Sequence, residues 1–311
     1  MLGVLNNALF SKIIKEHIMN KKKTNDNRKV MKIDLKKYFP LFLLPTLIAF
    51  IIGFVWPFLW GIYLSFFKFK TLRFQEFNGF RNYVLAFTDE GFLYSFMFTA
   101  VFAIVVVTII NLAAFSLAYA LTSKIKGTTI FRTIFFMPNL IGGIVLAYVW
   151  KEIMNDAIGY FYDSALMLEP KFGFWGLVIL LSWQQIGYMM IIYIAGLQNV
   201  PNDHIEAAKI DGASRRQILK SIIIPSIMPS ITICLFLSLT NAFKLFDQNL
   251  ALTGGSPNGK TEMLALNIYN SFYGNATNLG IGQAKAVIFF ILVVGISLTQ
   301  LYFTRRREVE L

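Results

Sequence analysis

Six stretches of this chain stay apolar for long enough to cross a bilayer, and that pattern restricts the fold more than any other feature of the sequence. They lie near 40–67, 93–121, 130–150, 173–196, 222–243 and 285–304. At a rise of about 1.5 Å per residue, each spans roughly 30 Å of hydrocarbon. A backbone N–H or C=O in hydrocarbon finds no water, so each stretch must satisfy its own hydrogen bonds as a helix. The expected fold class is therefore all-α: a polytopic membrane protein with six transmembrane helices. Composition agrees. A 311-residue chain that is 56% hydrophobic and only 15% charged has too little polar surface to cover a soluble globule.

The charges between these stretches set the orientation. Residues 1–39 form a basic tail with ten Lys or Arg, among them Lys21, Lys22, Lys23, Arg28, Lys29, Lys32, Lys36 and Lys37. Placing that tail in the cytoplasm also puts 122–132, 197–221 and 305–311 there, with three, four and three more cations, so twenty of the twenty-nine Lys and Arg lie inside. Both termini are expected in the cytoplasm, around a membrane domain from 40 to 304. The tail has no short apolar core followed by a small-residue cleavage site, so it reads as an anchor on anionic lipid and not as a cleavable signal. Met19 and Met31 are alternative starts within it. The net charge of +12 does not point to nucleic acid, because the cations are scattered between apolar runs and do not line one face.

Between the fourth and fifth stretches lies a polar island from Pro201 to Pro229. Glu206, Ala207 and Ala208 open a helical run, which Asn202 or Asp203 is placed to cap with Glu206 as reciprocal partner. Gly212 sits where the chain can turn without a Cβ penalty. A second, basic run with Arg215, Arg216 and Lys220 leads to Pro225. The small residues at 207, 208 and 213 allow another protein to approach the backbone closely. Glu206-Ala207-Ala208, Asp211-Gly212-Ala213, Ile222, Pro225 and Pro229 resemble the EAA loop of permease subunits in binding-protein-dependent ABC importers of the carbohydrate-uptake type. Arg216, Leu219 and Ile224 stand where sugar permeases often carry Trp, Phe and Leu.

The resemblance implies a type I ABC importer permease fold and a bacterial multi-pass membrane location. It also implies that the loop at 201–229 is seated in a cytoplasmic ATPase cleft through Glu206, Ala207, Ala208, Asp211, Gly212, Ala213 and Pro225. Implied partners are a second homologous permease, two ATPase subunits that carry the ATP and Mg, an extracytoplasmic solute-binding protein and a sugar. No cofactor is implied in this chain. Phe77-Asn78-Gly79-Phe80-Arg81-Asn82-Tyr83 and Phe135-Phe136-Met137-Pro138-Asn139 are similar to phrases of the same permeases. The first belongs to a loop that either touches the binding protein or rests at the lipid interface. Pro138 is expected to kink the third span, and Gly142 with Gly143 to admit a close neighbour.

Polar side chains inside a membrane are costly and face partners or a cavity. Trp183, Gln184, Gln185 and Tyr188 interrupt the fourth stretch, and Ser238, Thr240 and Asn241 the fifth, followed by Lys244 and Asp247. Aromatic faces with amide and hydroxyl groups suit a sugar. The resemblance places a substrate site here, so Trp183, Gln185, Tyr188, Ser238 and Asn241 are the expected substrate contacts. Interhelical hydrogen bonding is the alternative role for each.

Other signals are weak. Gly254-Gly255-Ser256-Pro257-Asn258-Gly259-Lys260-Thr261 fits the phosphate-loop pattern letter for letter. It follows a membrane helix instead of a strand, and Leu252-Thr253-Gly254-Gly255 with Thr261-Glu262 resembles sugar permeases at this point. Asn275-Ala276-Thr277 is a glycosylation acceptor only in a eukaryotic secretory context. The single Cys234 excludes an intramolecular disulfide, and His17 and His204 are too far apart for a zinc cluster. No nucleophile, base or metal-ligand spacing appears, so the chain is expected to be a transport subunit and not an enzyme. A permease for glycerol phosphate or another solute of the same superfamily shares these global features. A stand-alone secondary transporter needs an ion-coupling site that is not evident here.

Overall fold

The computed structural model describes residues 35–70, 75–122, 127–274 and 278–306. The lysine cluster of the basic tail and the Asn275-Ala276-Thr277 acceptor lie outside the described residues. The chain divides into two compact units, residues 1–60 and 61–311. From the first, α1 (Leu35–Phe50) passes through a π-helical turn at Ile51–Val55 into α2 (Trp56–Leu64), whose last four residues belong to the second. Stacked rings run along it at four-residue steps, Phe50 on Phe54 at 5.2 Å and Trp56 on Trp60 at 6.2 Å. Leu41–Leu64 forms one span of 24 residues.

The second unit continues with a short hairpin that the all-α expectation missed: β1 (Phe67–Phe69) pairs antiparallel with β2 (Gln75–Phe77), Phe67 opposite Phe77. Helix α3 (Arg81–Thr88) follows. Its Asn82, fully buried, donates to the carbonyls of Ser65 and Phe67 and accepts from Asn78 and Asn278. The Asn78–Tyr83 phrase is thus a structural knot at its polar positions, while Phe77 and Phe80 stay over 70% exposed at 71% and 72%.

The core of the unit is the pairing of α4 (Glu90–Thr122) with α7 (Pro170–Gln198). On α4, Phe102, Val106, Ile110, Ala114 and Ala118 recur every four residues and are fully buried against α7 residues such as Leu177, Leu181 and Met189. Alanines at two of those steps let the backbones approach, as apolar packing in lipid requires. Helix α11 (Met228–Phe243) packs on α4, α7 and the last helix, α14 (Leu279–Arg305).

Two expected spans are bent. Near 130–150, α5 (Thr128–Phe136) tightens into a 3-10 turn at Met137–Leu140 and meets α6 (Gly143–Tyr162) at 100°. Pro138 withholds an N–H, and Ile141 and Gly142 are extended, so the segment is two helices joined at a sharp bend where only a kink was expected. The approach of α7 reinforces this, since a Cβ on Gly187 would collide with the backbone carbonyl of Phe135. Near 222–243, Arg215–Ser226 meets Met228–Phe243 at 70°. Pro225 and Pro229 flank the buried Ile227 at that bend. The described residues therefore hold four unbroken spans, or six when each bent pair counts as one.

Candidate functional site

The polar island folds as a tight helical hairpin. Helix α8 (Asn202–Ile210) starts after Pro201, whose extended backbone occupies the N-cap position. Asn202 is already inside the first turn, and the helix has no side-chain cap, so the expected capping by Asn202 or Asp203 with Glu206 does not form. The helix ends in a Schellman motif: the Ala213 N–H donates to the Ala208 carbonyl at 2.9 Å and the Gly212 N–H to that of Lys209 at 3.1 Å. That geometry holds Gly212 at φ +79°, in the left-handed region that L side chains avoid. Ser214 then caps α9 (Arg215–Ile218) in a capping box the sequence reading missed, its Oγ accepting from the Gln217 N–H while the Ser214 N–H donates to Gln217 Oε1 at 2.8 Å. Two caps placed back to back thus convert one helix into the next within four residues.

Glu206, Ala207, Asp211 and Gly212 are exposed on this hairpin, and Ala208 and Ala213 are half-buried in the motif that ends α8. At the tip, Ile210 is 85% exposed, an apolar side chain that packing inside this chain does not explain. Pro225 is not at the tip. It sits in α10 (Ile224–Ser226), beyond a π-helical turn at Leu219–Ile223, and belongs to the 70° bend. At its root the hairpin borders a cavity of about 570 Å³ whose lining includes Tyr119, Thr122, Ile205, Lys209 and Arg215.

The hairpin leads directly into α7 on one side and, through the bend, α11 on the other. These helices bring two of the expected substrate contacts, Gln185 and Asn241, together. The Asn241 amide donates to Gln185 Oε1 at 3.3 Å, with Asn241 exposed and Gln185 nearly buried. Tyr188 and Trp183 are 36% and 42% exposed, and Trp183 meets Trp150 edge to face at 5.4 Å. Ser238 is the exception. It is fully buried, accepts from the Asn111 amide at 2.9 Å and donates to the Cys234 carbonyl, while Tyr193 donates to Asn111 Oδ1 at 2.8 Å. Ser238 therefore ties α4, α7 and α11 together.

Two further polar sites join residues whose partners the sequence did not reveal. Gln184 donates to the Ile141 carbonyl at 3.1 Å and accepts from Gln248 at 2.8 Å, supplying a donor to a backbone group at the sharp bend. The paired glutamines and Pro138 were the available signal. Lys285, buried in α14, donates to Asp89, Asn267 and Ser271, using all three ammonium protons. A lone Lys in an apolar run was its only sign.

The phosphate-loop pattern adopts another structure. α12 (Asp247–Leu252) precedes it, and its donors turn inward: Ser256 N–H to Thr253, Lys260 N–H to Pro257 and Thr261 Oγ1 to Ser256, while Asn249 bonds the Thr261 carbonyl. The Lys260 ammonium lies over the Tyr94 ring at 4.8 Å. Most of the loop's amides are thus bonded within it, and a helix instead of a strand precedes it.

Residues 127–309 match the family model described as binding-protein-dependent transport system inner membrane component. The probable starch degradation products transport system permease protein AmyD of Thermoanaerobacterium thermosulfurigenes is 44% identical over 278 residues, covering 87% of this chain and 95% of that protein. The multiple sugar-binding transport system permease protein MsmF of Streptococcus mutans is 31% identical over 285 residues, covering 88% and 98%. In the crystal structure of a bacterial ABC transporter involved in the import of the acidic polysaccharide alginate, one chain superposes with a TM-score of 0.74 at 21% identity, covering 88% of this chain and 97% of that one, which is a shared fold. The family match runs from the start of α5 past the last helix, and the relatives align over nearly their full length: this multi-pass membrane chain belongs to the binding-protein-dependent transport system inner membrane components.

Proposed function

We propose that this chain is a permease subunit of an ABC importer that carries a sugar or short oligosaccharide inward, and that the fragments of starch named for AmyD are its substrate class. Both termini and the hairpin at 202–218 face the cytoplasm. There the hairpin docks on an ATPase subunit through Glu206, Ala207 and the exposed Ile210, with Gly212 and Ala213 fixing its turn. A second permease completes the pathway, a second ATPase copy completes the motor, and a solute-binding protein delivers sugar from outside. ATP and Mg belong to the ATPase subunits; this chain contributes no catalytic group.

The observation that carries the proposal is the direct covalent continuity between a solvent-facing hairpin and the two helices that pair Gln185 with Asn241. Closure of the ATPases displaces the hairpin. The displacement reaches α7 at Gln198 and α11 through the bend at Ile227, and so changes which side of the membrane Gln185, Asn241, Tyr188 and Trp183 face. Amide and aromatic groups recognise a neutral polyhydroxylated ligand by hydrogen bonds and stacking.

Purifying the tagged chain from its native membranes tests this. Retention of an ATPase and a second permease in mild detergent is the expected result. A chain that leaves the membrane alone while still transporting sugar in vesicles without ATP contradicts it.

A further inference from the structure

The cavity of about 570 Å³ at the root of the hairpin lies where two spans end. Tyr119 and Thr122 belong to the last turn of α4, and Leu197 and Val200 flank the end of α7, so the cavity sits at the level where hydrocarbon gives way to headgroups. The hairpin forms its other wall. Asn202, Ile205 and Lys209 recur at three and four residues and line the cavity from one stripe of α8, while Glu206 and Ile210 occupy a neighbouring stripe outside it. Arg215 adds a second cation from the start of α9. Lys209 and Arg215 are exposed, and neither forms an ion pair with a carboxylate among the described residues. Behind them the walls are apolar, with Val200, Ile218 and Ile223 buried.

We propose that this cavity holds the headgroup of an anionic phospholipid from the cytoplasmic leaflet, with its phosphate at Lys209 and Arg215. The side of the membrane rests on the importer function proposed above. Arginine presents a planar fork of donors matched to phosphate oxygens, and lysine adds a point charge. Two unpaired cations in a recess between span ends are the arrangement that recognises anionic headgroups. The apolar walls at Leu197, Val200, Ile218 and Ile223 favour a lipid over a free phosphate ion, because they cover the glycerol backbone and the start of an acyl chain. A lipid seated there touches the ends of α4 and α7 and the hairpin at once. It braces the hairpin against the spans, so a displacement of the hairpin is passed to α7 instead of being absorbed at its root.

The test places the purified complex in nanodiscs of phosphatidylcholine with increasing phosphatidylglycerol, measures ATP hydrolysis, and identifies retained lipid and subunits by native mass spectrometry. Wild type is expected to retain phosphatidylglycerol and to hydrolyse ATP faster as its fraction rises. Each cation near a membrane surface contributes about fivefold to the attraction. Lys209→Gln and Arg215→Gln should therefore each need about five times more phosphatidylglycerol for half-maximal stimulation, and the double variant should retain none. Lys209→Arg with Arg215→Lys should match wild type. So should Arg305→Gln with Arg306→Gln, a basic pair at the end of α14 outside the cavity. Equal loss in that control overturns the site by reducing the effect to surface charge. Stimulation by inorganic phosphate in phosphatidylcholine alone overturns the lipid assignment in favour of a free anion. Loss of the ATPase from the double variant also overturns it, by showing the two cations to be a subunit contact. If no preparation contains an ATPase, yet wild type retains phosphatidylglycerol and the double variant does not, the importer function fails and the lipid site stands.

Discussion

Lys285 and Asp89 stand 196 residues apart in sequence, yet the Lys285 ammonium lies 2.7 Å from the Asp89 carboxylate. Lys285 is almost wholly buried, seven residues into the last helix, while the Asp89 side chain keeps 38% of its exposure just ahead of α4. Burial acts to raise the Asp89 pKa, but the hydrogen bond from Lys285, the Phe92 N–H and the Lys285 charge together outweigh it and hold the carboxyl below its usual range. The pair pins the start of α14 to the start of α4, with Asn267 and Ser271 of α13 (Leu264–Tyr273) completing the ammonium's shell.

A carboxylate with a depressed folded pKa stabilises the fold above its unfolded pKa of about 4, and that contribution is lost as pH falls through the lower folded value. Thermal stability of the purified complex is therefore expected to be insensitive to this pair above about pH 5 and to decline below about pH 4. In Asp89→Asn that acid-side decline should be smaller. At neutral pH Asp89→Asn should cost about 1–3 kcal/mol, reduced from a fully buried pair because water reaches Asp89. Lys285→Met should cost less, since it leaves a partly solvated carboxylate instead of a buried ammonium. Unfolding monitored against pH for the three proteins measures both effects.

Gly212 is the position where the hairpin cannot accept a side chain cheaply. Its φ of +79° opposes a β-branched residue by about 1–2 kcal/mol locally, enough to rearrange a turn of two caps. Gly212→Val is expected to abolish uptake while the chain still inserts at normal levels. Gly212→Asn, which tolerates the left-handed region, should keep part of the activity. Normal transport by the valine variant counts against a coupling role for the turn.

Ser238 and Asn241 share a helix face in sequence, and the structure separates their surroundings, Ser238 buried and Asn241 exposed. Ser238→Ala removes a buried acceptor from Asn111 and is expected to lower stability by about 0.6 kcal/mol, leaving KM for sugar unchanged. Asn241→Ala is expected to raise KM several-fold with little change in stability. Transport kinetics paired with unfolding of each variant decide the matter, and a KM effect from Ser238→Ala contradicts the assignment.

Gln184 satisfies a backbone carbonyl that the bend between α5 and α6 releases. Gln184→Leu leaves the Ile141 carbonyl and the Gln248 amide unpaired, for an expected loss of about 1–3 kcal/mol. A double variant with Gln248→Leu should recover part of it. Melting temperatures in nanodiscs give the comparison.

The positions of the spans were legible because hydrocarbon enforces them: the apolar runs near 93–121 and 173–196 become Glu90–Thr122 and Pro170–Gln198. The turn at Gly212 was legible because few residues adopt its backbone. Local rules misplaced the cap of α8, since Pro201 took the N-cap position and moved Asn202 into the helix. Pro138 announced a kink, but the 100° break also depends on Gln184 and on Gly187 meeting the Phe135 backbone, contacts between distant parts of the chain. For the same reason Lys285 could not be matched to Asp89, nor Ser238 sorted from Asn241, before the helices were set side by side.

The central claim is that Ile210 faces the cell interior and touches an ATPase subunit. Cysteine placed as Ile210→Cys, with buried Cys234 left in place, should resist a membrane-impermeant maleimide in intact cells, react after permeabilisation, and cross-link to the ATPase in native membranes. Labelling of intact cells, or a hairpin that cross-links to nothing in an active transporter, contradicts it.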